Sequence, residues 1–230
     1  MLSNITRTLL LEIDVQNDFC PAYTSAAGEQ IPNGALAVQD GDGVIAPLNA
    51  LAAALTAAGG RVAATQDWHP ARHISFASSH DGKKPGDIID LAAVAGQVLW
   101  PDHCVQGKQG AAFHEKLDLE PINFIVRKGF RRGLDSYSAF FENDRCTATG
   151  LEGCIKQLNV ETVIIGGLAT DYCVFYSAMD ARRLGFSVII ASDAIRGVGY
   201  PEGSIEKATL EMQANGISFA TSAQLLEELR

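Results

Sequence analysis

The stretch Thr162-Val163-Ile164-Ile165-Gly166-Gly167-Leu168-Ala169-Thr170-Asp171-Tyr172-Cys173-Val174-Phe175 decides how the chain is read. Its first four residues are β-branched, and the apolar ones do not alternate with polar ones. That is the pattern of a strand covered on both faces. Two glycines end the run, and a helical pattern follows from about Asp171 to Leu184, stopped by Gly185. The arrangement sets Cys173 in the first turn of a helix, where unpaired backbone N–H groups and the positive end of the helix dipole favour a thiolate. Thr170 or Asp171 is the natural N-cap. A small buried hydrophobe is the bland reading of a cysteine, and it is taken for Cys20, Cys104, Cys146 and Cys154.

Working outward, the same alternation of apolar run and helical pattern repeats. Strands are expected at Leu9–Ile13, Arg61–Thr65, Asn123–Val126, Thr162–Ile165, Val188–Ile190 and Ile217–Phe219, and helices at 44–58, 171–184, 202–214 and from Ser222. Strands apolar on both faces and separated by helices imply an α/β fold: a three-layer αβα sandwich around a doubly wound, mainly parallel sheet. Residues 1–230 are read as one domain, with a long metal- and substrate-binding loop region at about 67–120. A connection of that length inside a compact domain is usually functional.

Composition narrows the function. Of 230 residues, 47% are hydrophobic and 20% charged, and the net charge is −9. That balance argues against a nucleic-acid or anionic-membrane surface, both of which demand clustered Lys and Arg. No apolar run nears the roughly 20 residues of a bilayer span. The N-terminus shows no small-residue cleavage pattern, so a cytoplasmic protein is expected. Five cysteines without a repeated spacing fit free thiols in a reducing compartment.

In a parallel sheet, residues just past the strands gather on one edge, where such sheets bind ligands. Asp14, Asp67 and Lys128 follow the first three strands, and Cys173 opens the helix after the fourth. Asp14 is placed to take a thiol proton and return it to a leaving amine. Lys128 would hold Asp14 ionised and stabilise a thiolate. A second constellation is Asp67-Trp68-His69-Pro70-Ala71-Arg72-His73 with Trp100-Pro101-Asp102-His103. In an extended segment, residues two apart point the same way, so Asp67 and His69 can reach one ion with His103 as a third ligand. Two imidazoles and a carboxylate with open positions suit Zn²⁺, Mn²⁺ or Fe²⁺. His73 is either a fourth ligand or a hydrogen-bonding neighbour. His80 and His114 are read as surface residues.

With DVQNDF (14–19), QDWHPARHISFA (66–77), WPDHCVQG (100–107), KGF and DSYSAFF (128–141) and GLATDYCV (167–174), the chain resembles the nicotinamidases of the isochorismatase-like cysteine hydrolase superfamily. The resemblance runs from about Leu9 to near the C-terminus. It implies the isochorismatase-like hydrolase fold and a triad of Cys173, Asp14 and Lys128 that converts nicotinamide to nicotinate and ammonia through a thioester. It further implies one divalent metal, zinc first, held by Asp67, His69 and His103 and bound to the pyridine nitrogen. The Leu168–Ala169 bond corresponds to a cis peptide in that family, turning the Ala169 and Cys173 N–H groups toward the substrate oxygen. Phe19, Trp100 and Tyr137 match positions that wall the ring pocket. The partner implied is nicotinamide and its analogues, and a homo-oligomer is left open. One residue departs from the family: Glu12 stands where an aliphatic residue is usual, and a positive or hydrogen-bonding partner is expected for it beneath the site. Two other readings compete: hydrolysis of a different small amide, with the pocket retuned by Glu12 or by the 131–136 loop, and a non-catalytic metal- or ligand-binding domain.

Overall fold

The computed structural model describes Leu2 and residues 4–230; Met1 and Ser3, in the stretch leading to the first strand, lie outside the described residues. The first strand, β1 (Thr8–Ile13), is buried at every position. Burying each of Leu9, Leu10 and Leu11 contributes about 1.5–3 kcal/mol, which three successive leucines can realise only in a strand covered on both faces. A short ribbon of β2 (Tyr23–Thr24) and β3 (Gln30–Ile31) precedes α1 (Ile45–Ala57) and β4 (Arg61–Asp67). The long loop region holds a second small ribbon, β5 (Ile88–Ile89) with β6 (Gln97–Val98). Then come β7 (Phe124–Lys128), α2 (Leu151–Gln157), β8 (Thr162–Leu168), α3 (Phe175–Arg183), β9 (Ser187–Arg196), α4 (Ser204–Ala214), β10 (Ser218–Ala220) and α5 (Ser222–Glu228).

Six strands form one sheet in the order β10-β9-β8-β1-β4-β7, and every pairing is parallel. From the central β1 the chain adds β4 and β7 on one side, then returns to add β8, β9 and β10 on the other. The winding reverses between β1 and β8, and α/β sheets bind ligands beyond the strand ends at that point. Leu10, Val62 and Ile164 face α1 and α5 through Leu48, Leu51, Leu55 and Leu225. Leu9, Leu11, Ile13, Val163 and Ile165 face α2, α3 and α4 through Leu151, Ile155, Ala178 and Met212. These are the layers expected for a doubly wound α/β sandwich.

Several expectations are corrected. The helix α2 was not expected: it is short, only Leu151 and Ile155 of it are buried, and it follows Gly150 at φ 102°. The segment after β8 begins as a π-helical turn over Thr170–Val174 and becomes α-helical at Phe175. Neither Thr170 nor Asp171 caps it. The Asp171 carboxylate instead accepts hydrogen bonds from the N–H groups of Val198 and Gly199, both at 2.9 Å, and from the Ser204 hydroxyl at 2.6 Å.

Glu12 lies between Ala64 of β4 and Gly166 of β8, on the α1 side by alternation with Leu10. It is 1% exposed, and neither carboxyl oxygen has a hydrogen-bond partner among the described residues. The expected partner is therefore missing. Burial, with the charge of Asp118, pushes this carboxyl up to about 8. An isolated carboxylate in an apolar layer is too costly, so the side chain is held protonated at neutral pH. No helix of the described residues is long and apolar enough to cross a membrane.

Candidate active site

Just past β1 the backbone leaves the sheet. Asp14 adopts a left-handed conformation at φ 49°, and the Gln16 N–H donates to the Asp14 carbonyl at 2.8 Å. On β8, Gly167 has φ 117°, and a Cβ there would stand 2.1 Å from the Ile13 carbonyl oxygen. Only glycine lets the two strands close up here. The Leu168–Ala169 peptide that follows is cis, as the family likeness implied. Asp67 and Lys128 are the last residues of neighbouring strands and stand opposite each other in register.

The buried Lys128 ammonium ties these ends together. Its Nζ lies 2.8 Å from Asp14 Oδ2, 2.5 Å from Asp67 Oδ1, 3.0 Å from the Ser136 carbonyl and 3.4 Å from Cys173 Sγ. Thr65 fixes the other side of Asp14: its hydroxyl donates to Oδ1 at 2.6 Å and accepts from the Asp14 N–H at 3.1 Å. Asp14 Oδ2 has the ammonium beside it but no directed hydrogen bond, which leaves a lone pair for the thiol proton.

The electrostatics follow from this enclosure. Burial pushes the Cys173 thiol well above its ordinary value, with Lys128 opposing and Asp14 adding to the rise. Enclosure thus works against the thiolate that the helix start and Lys128 favour. Burial also raises Asp14, against the pull of Lys128. A carboxylate more basic than usual lies closer in proton affinity to a neighbouring thiol. Burial opposes charge on Asp67 too, but Lys128 and His69 outweigh it and hold that carboxyl well below the usual range. Burial would neutralise Lys128, yet Asp14 and Asp67 keep it firmly an ammonium.

Beside this group, ligand atoms of Asp67, His69 and His103 all lie within 4.8 Å of one another. Asp67 Oδ2 is 3.4 Å from His69 Nε2 and 3.8 Å from His103 Nε2. Both imidazoles have Nδ1 against a backbone carbonyl, of Gly129 at 2.9 Å for His69 and of Pro101 at 2.8 Å for His103. Nδ1–H donation there fixes the tautomer and leaves each Nε2 lone pair aimed at a shared point, the usual support of a metal-bound histidine. A buried set of two imidazole nitrogens and one ionised carboxylate fits Zn²⁺, Mn²⁺ or Fe²⁺. Trp68 turns aside, with the Arg127 guanidinium stacked 3.9 Å over its ring. His73 stacks on His69 with ring centroids 4.2 Å apart. Its ring nitrogens meet the Ser75 hydroxyl at 2.7 Å and the Arg131 carbonyl at 3.0 Å. Of its two readings, the geometry favours the hydrogen-bonding neighbour.

A narrow cleft opens over both groups, bordered by Cys173, Ala169, Asp67, His69 and His103 and walled by Phe19, Trp100 and Tyr137. The Trp100 indole N–H donates to the Tyr137 hydroxyl at 3.1 Å, and Trp100 meets Tyr172 edge-on at 4.9 Å.

The Isochorismatase domain model matches residues 8–224. The chain belongs to the isochorismatase family. Over 217 residues it is 44% identical to a nicotinamidase of Acinetobacter baylyi, covering 94% of each chain. A solved nicotinamidase and pyrazinamidase from Acinetobacter baumannii superposes with a TM-score of 0.86 at 42% identity, covering 96% of this chain and 98% of that one. A pyrazinamidase of Pyrococcus horikoshii solved with zinc gives a TM-score of 0.72 at 32% identity, covering 94% and 99%.

Within this family framework, several side chains around the cleft were not singled out from sequence. Thr65, Gln16, Asp135, Leu36, Tyr172 and Val198 all reach the site or its ligands. Their signal is one of register, visible only once the strands are aligned. Two histidine readings also change. His114 is buried and lies 4.0 Å from the Tyr23 ring, and His80 is partly buried with Nε2 2.7 Å from the Ile74 carbonyl. Cys20 and Cys104 are buried as expected, whereas Cys146 and Cys154 are exposed.

Proposed function

We propose that this chain is a one-domain hydrolase that converts nicotinamide to nicotinate and ammonia through a thioester on Cys173. The names of its relatives support the substrate. The observation that carries the chemistry is the Lys128 ammonium within 3.4 Å of Asp14, Asp67 and the Cys173 sulfur at once. It links a nucleophile, a base and a metal-ligand carboxylate in one buried charge network.

The substrate ring enters between Phe19, Trp100 and Tyr137 with its carboxamide toward Cys173. Asp14 takes the thiol proton, Lys128 stabilises the sulfur charge, and the thiolate adds to the carboxamide carbon. The oxyanion accepts hydrogen bonds from the Ala169 and Cys173 N–H groups, donors of a kind worth about 2.7–4 kcal/mol each. Asp14 returns the proton to the amine as the C–N bond breaks and ammonia leaves. Water, deprotonated by Asp14, then cleaves the thioester to nicotinate and restores the thiol. Asp67, His69 and His103 would hold a divalent ion, Zn²⁺ in the first instance, the ion with which the Pyrococcus relative was solved. When bound, such an ion supplies a Lewis acid for the pyridine nitrogen and fixes the ring for attack.

The test is ammonia release from nicotinamide and from benzamide, which lacks the ring nitrogen. Wild type is compared before and after chelation, and with Cys173→Ala. The reading requires nicotinamide to be preferred, chelation to weaken that preference, and Cys173→Ala to lose on the order of 10⁴–10⁶ in rate. Full turnover by the alanine variant removes the nucleophile. Equal turnover of benzamide would favour the different-amide reading. Retuning by Glu12 is disfavoured because that residue does not border the cleft.

A further inference from the structure

The sheet has a gap beside the metal-ligand candidates, and one side chain fills it. The pairing of β1 with β4 runs from Leu9 opposite Arg61 to Glu12 opposite Ala64, while β4 continues to Asp67. On its far side β4 stays paired with β7 up to Asp67. On the near side β1 has already turned away at Asp14, so the Asp67 N–H and C=O have no strand to meet. The Gln16 side-chain amide meets them both. Its Oε1 accepts from the Asp67 N–H at 2.8 Å, and its Nε2 donates to the Asp67 carbonyl at 2.9 Å. The same Nε2 donates to the Ala111 carbonyl at 2.9 Å, and Gln16 is fully buried.

We infer that Gln16 is a positioning residue for the metal site, its side-chain amide standing in for the absent strand and locking the backbone of Asp67 so that Oδ2 faces His69 and His103. The inference rests on reading Asp67 as a metal ligand. Asp67 is the ligand that depends on such a lock. It also spans to Lys128 through Oδ1, so a small rotation of its backbone would carry Oδ2 away from the imidazoles while keeping the ion pair. A side-chain amide that satisfies both backbone groups blocks that rotation, since breaking away would leave a buried N–H and C=O unpaired.

The experiment is zinc titration of the folded, metal-free protein against a competing chelator, with circular dichroism confirming the fold of each variant. Gln16→Met removes both contacts to Asp67. Gln16→Glu keeps an acceptor for the Asp67 N–H but turns the donor into an oxygen facing two carbonyls. Both are expected to weaken zinc binding by about 10–100-fold, the usual effect of losing a group that orients a ligand. Gln66→Met is the control: Gln66 Nε2 also donates to the Ala111 carbonyl, at 2.8 Å, but its side chain does not grip Asp67. Its zinc affinity should match wild type. Wild-type affinity in the Gln16 variants overturns the inference, and so does an equal loss in Gln66→Met. Failure of both Gln16 variants to fold also overturns it, since the residue would then serve folding alone. A wild-type protein that binds no zinc removes the metal reading itself, whereas zinc binding indifferent to Gln16 removes only this one.

Discussion

Two buried acids sit two residues apart in one strand region and do opposite things. Asp14 is surrounded by an ammonium and a hydroxyl, and its raised basicity suits the proton transfer proposed for it. Glu12 has no such company, so burial holds it protonated with a value near 8 against an ordinary 4.5. The sign of its effect on stability follows. As pH rises through 4.5 the unfolded chain releases this proton and the folded chain does not, so stability falls until the folded carboxyl ionises at about 8, and is level above that. The full shift corresponds to on the order of 5 kcal/mol. Glu12→Leu should therefore melt higher than wild type by a margin that widens from about pH 5 to about pH 8 and then stays constant. A margin independent of pH would mean that Glu12 is solvated or paired. Sequence could flag this residue, because its parity in a buried strand was legible. It could not show that no partner arrives, since that depends on which side chains of distant segments reach the α1 layer.

At the scale of elements, the six strands of the main sheet were legible because their apolar runs are continuous, as in Leu9–Leu11 and Val188–Ile190, whereas the two-residue strands of the small ribbons carry no such run. The helix α2 was not legible, since a short helix with two buried residues after a glycine carries almost no periodic signal. Asp171 misled for a physical reason: a helix-start Asp is among the preferred caps, but here tertiary contacts take its carboxylate. It grips the segment after β9 at Val198, Gly199 and Ser204, and Val198 borders the cleft. Tyr172 adds a second tie, its hydroxyl donating to the Tyr200 carbonyl at 2.5 Å. Asp171→Ala leaves two backbone N–H groups without this acceptor and should cost about 1–3 kcal/mol in denaturant unfolding. It should also raise KM for nicotinamide more than it lowers kcat, because the wall of the cleft loosens while the triad stays. A fall in kcat with KM unchanged would place Asp171 in the chemistry instead.

For the whole molecule, topology does the gathering. Reversal of winding between β1 and β8 opens the sheet where Asp14 and Ala169 stand, and β4 and β7 deliver Asp67 and Lys128 alongside. Asp14, Asp67, Lys128 and Cys173 were legible because each stands at or just past the end of a strand; their distances were not, because they depend on a register that no local pattern encodes. His103 illustrates this, since its loop reaches His69 through a bridge between His69 and Val105. The site thus joins β4 to the long loop region, and a bound ion would clamp the two. Chelation should lower the melting temperature, and zinc at 100 times its dissociation constant should restore about 2.7 kcal/mol of stability. An unchanged melting temperature would show that the loop is held without metal.

The proposed chemistry turns on one covalent bond between the Cys173 sulfur and the substrate acyl group. Acid-quenched turnover of nicotinamide followed by peptide mass analysis tests it directly. The account predicts that the peptide carrying Cys173, and none carrying the other four cysteines, gains one nicotinoyl group during turnover. Ammonia released by a Cys173→Ala variant at the wild-type rate, with no acylated peptide in wild type, would contradict it.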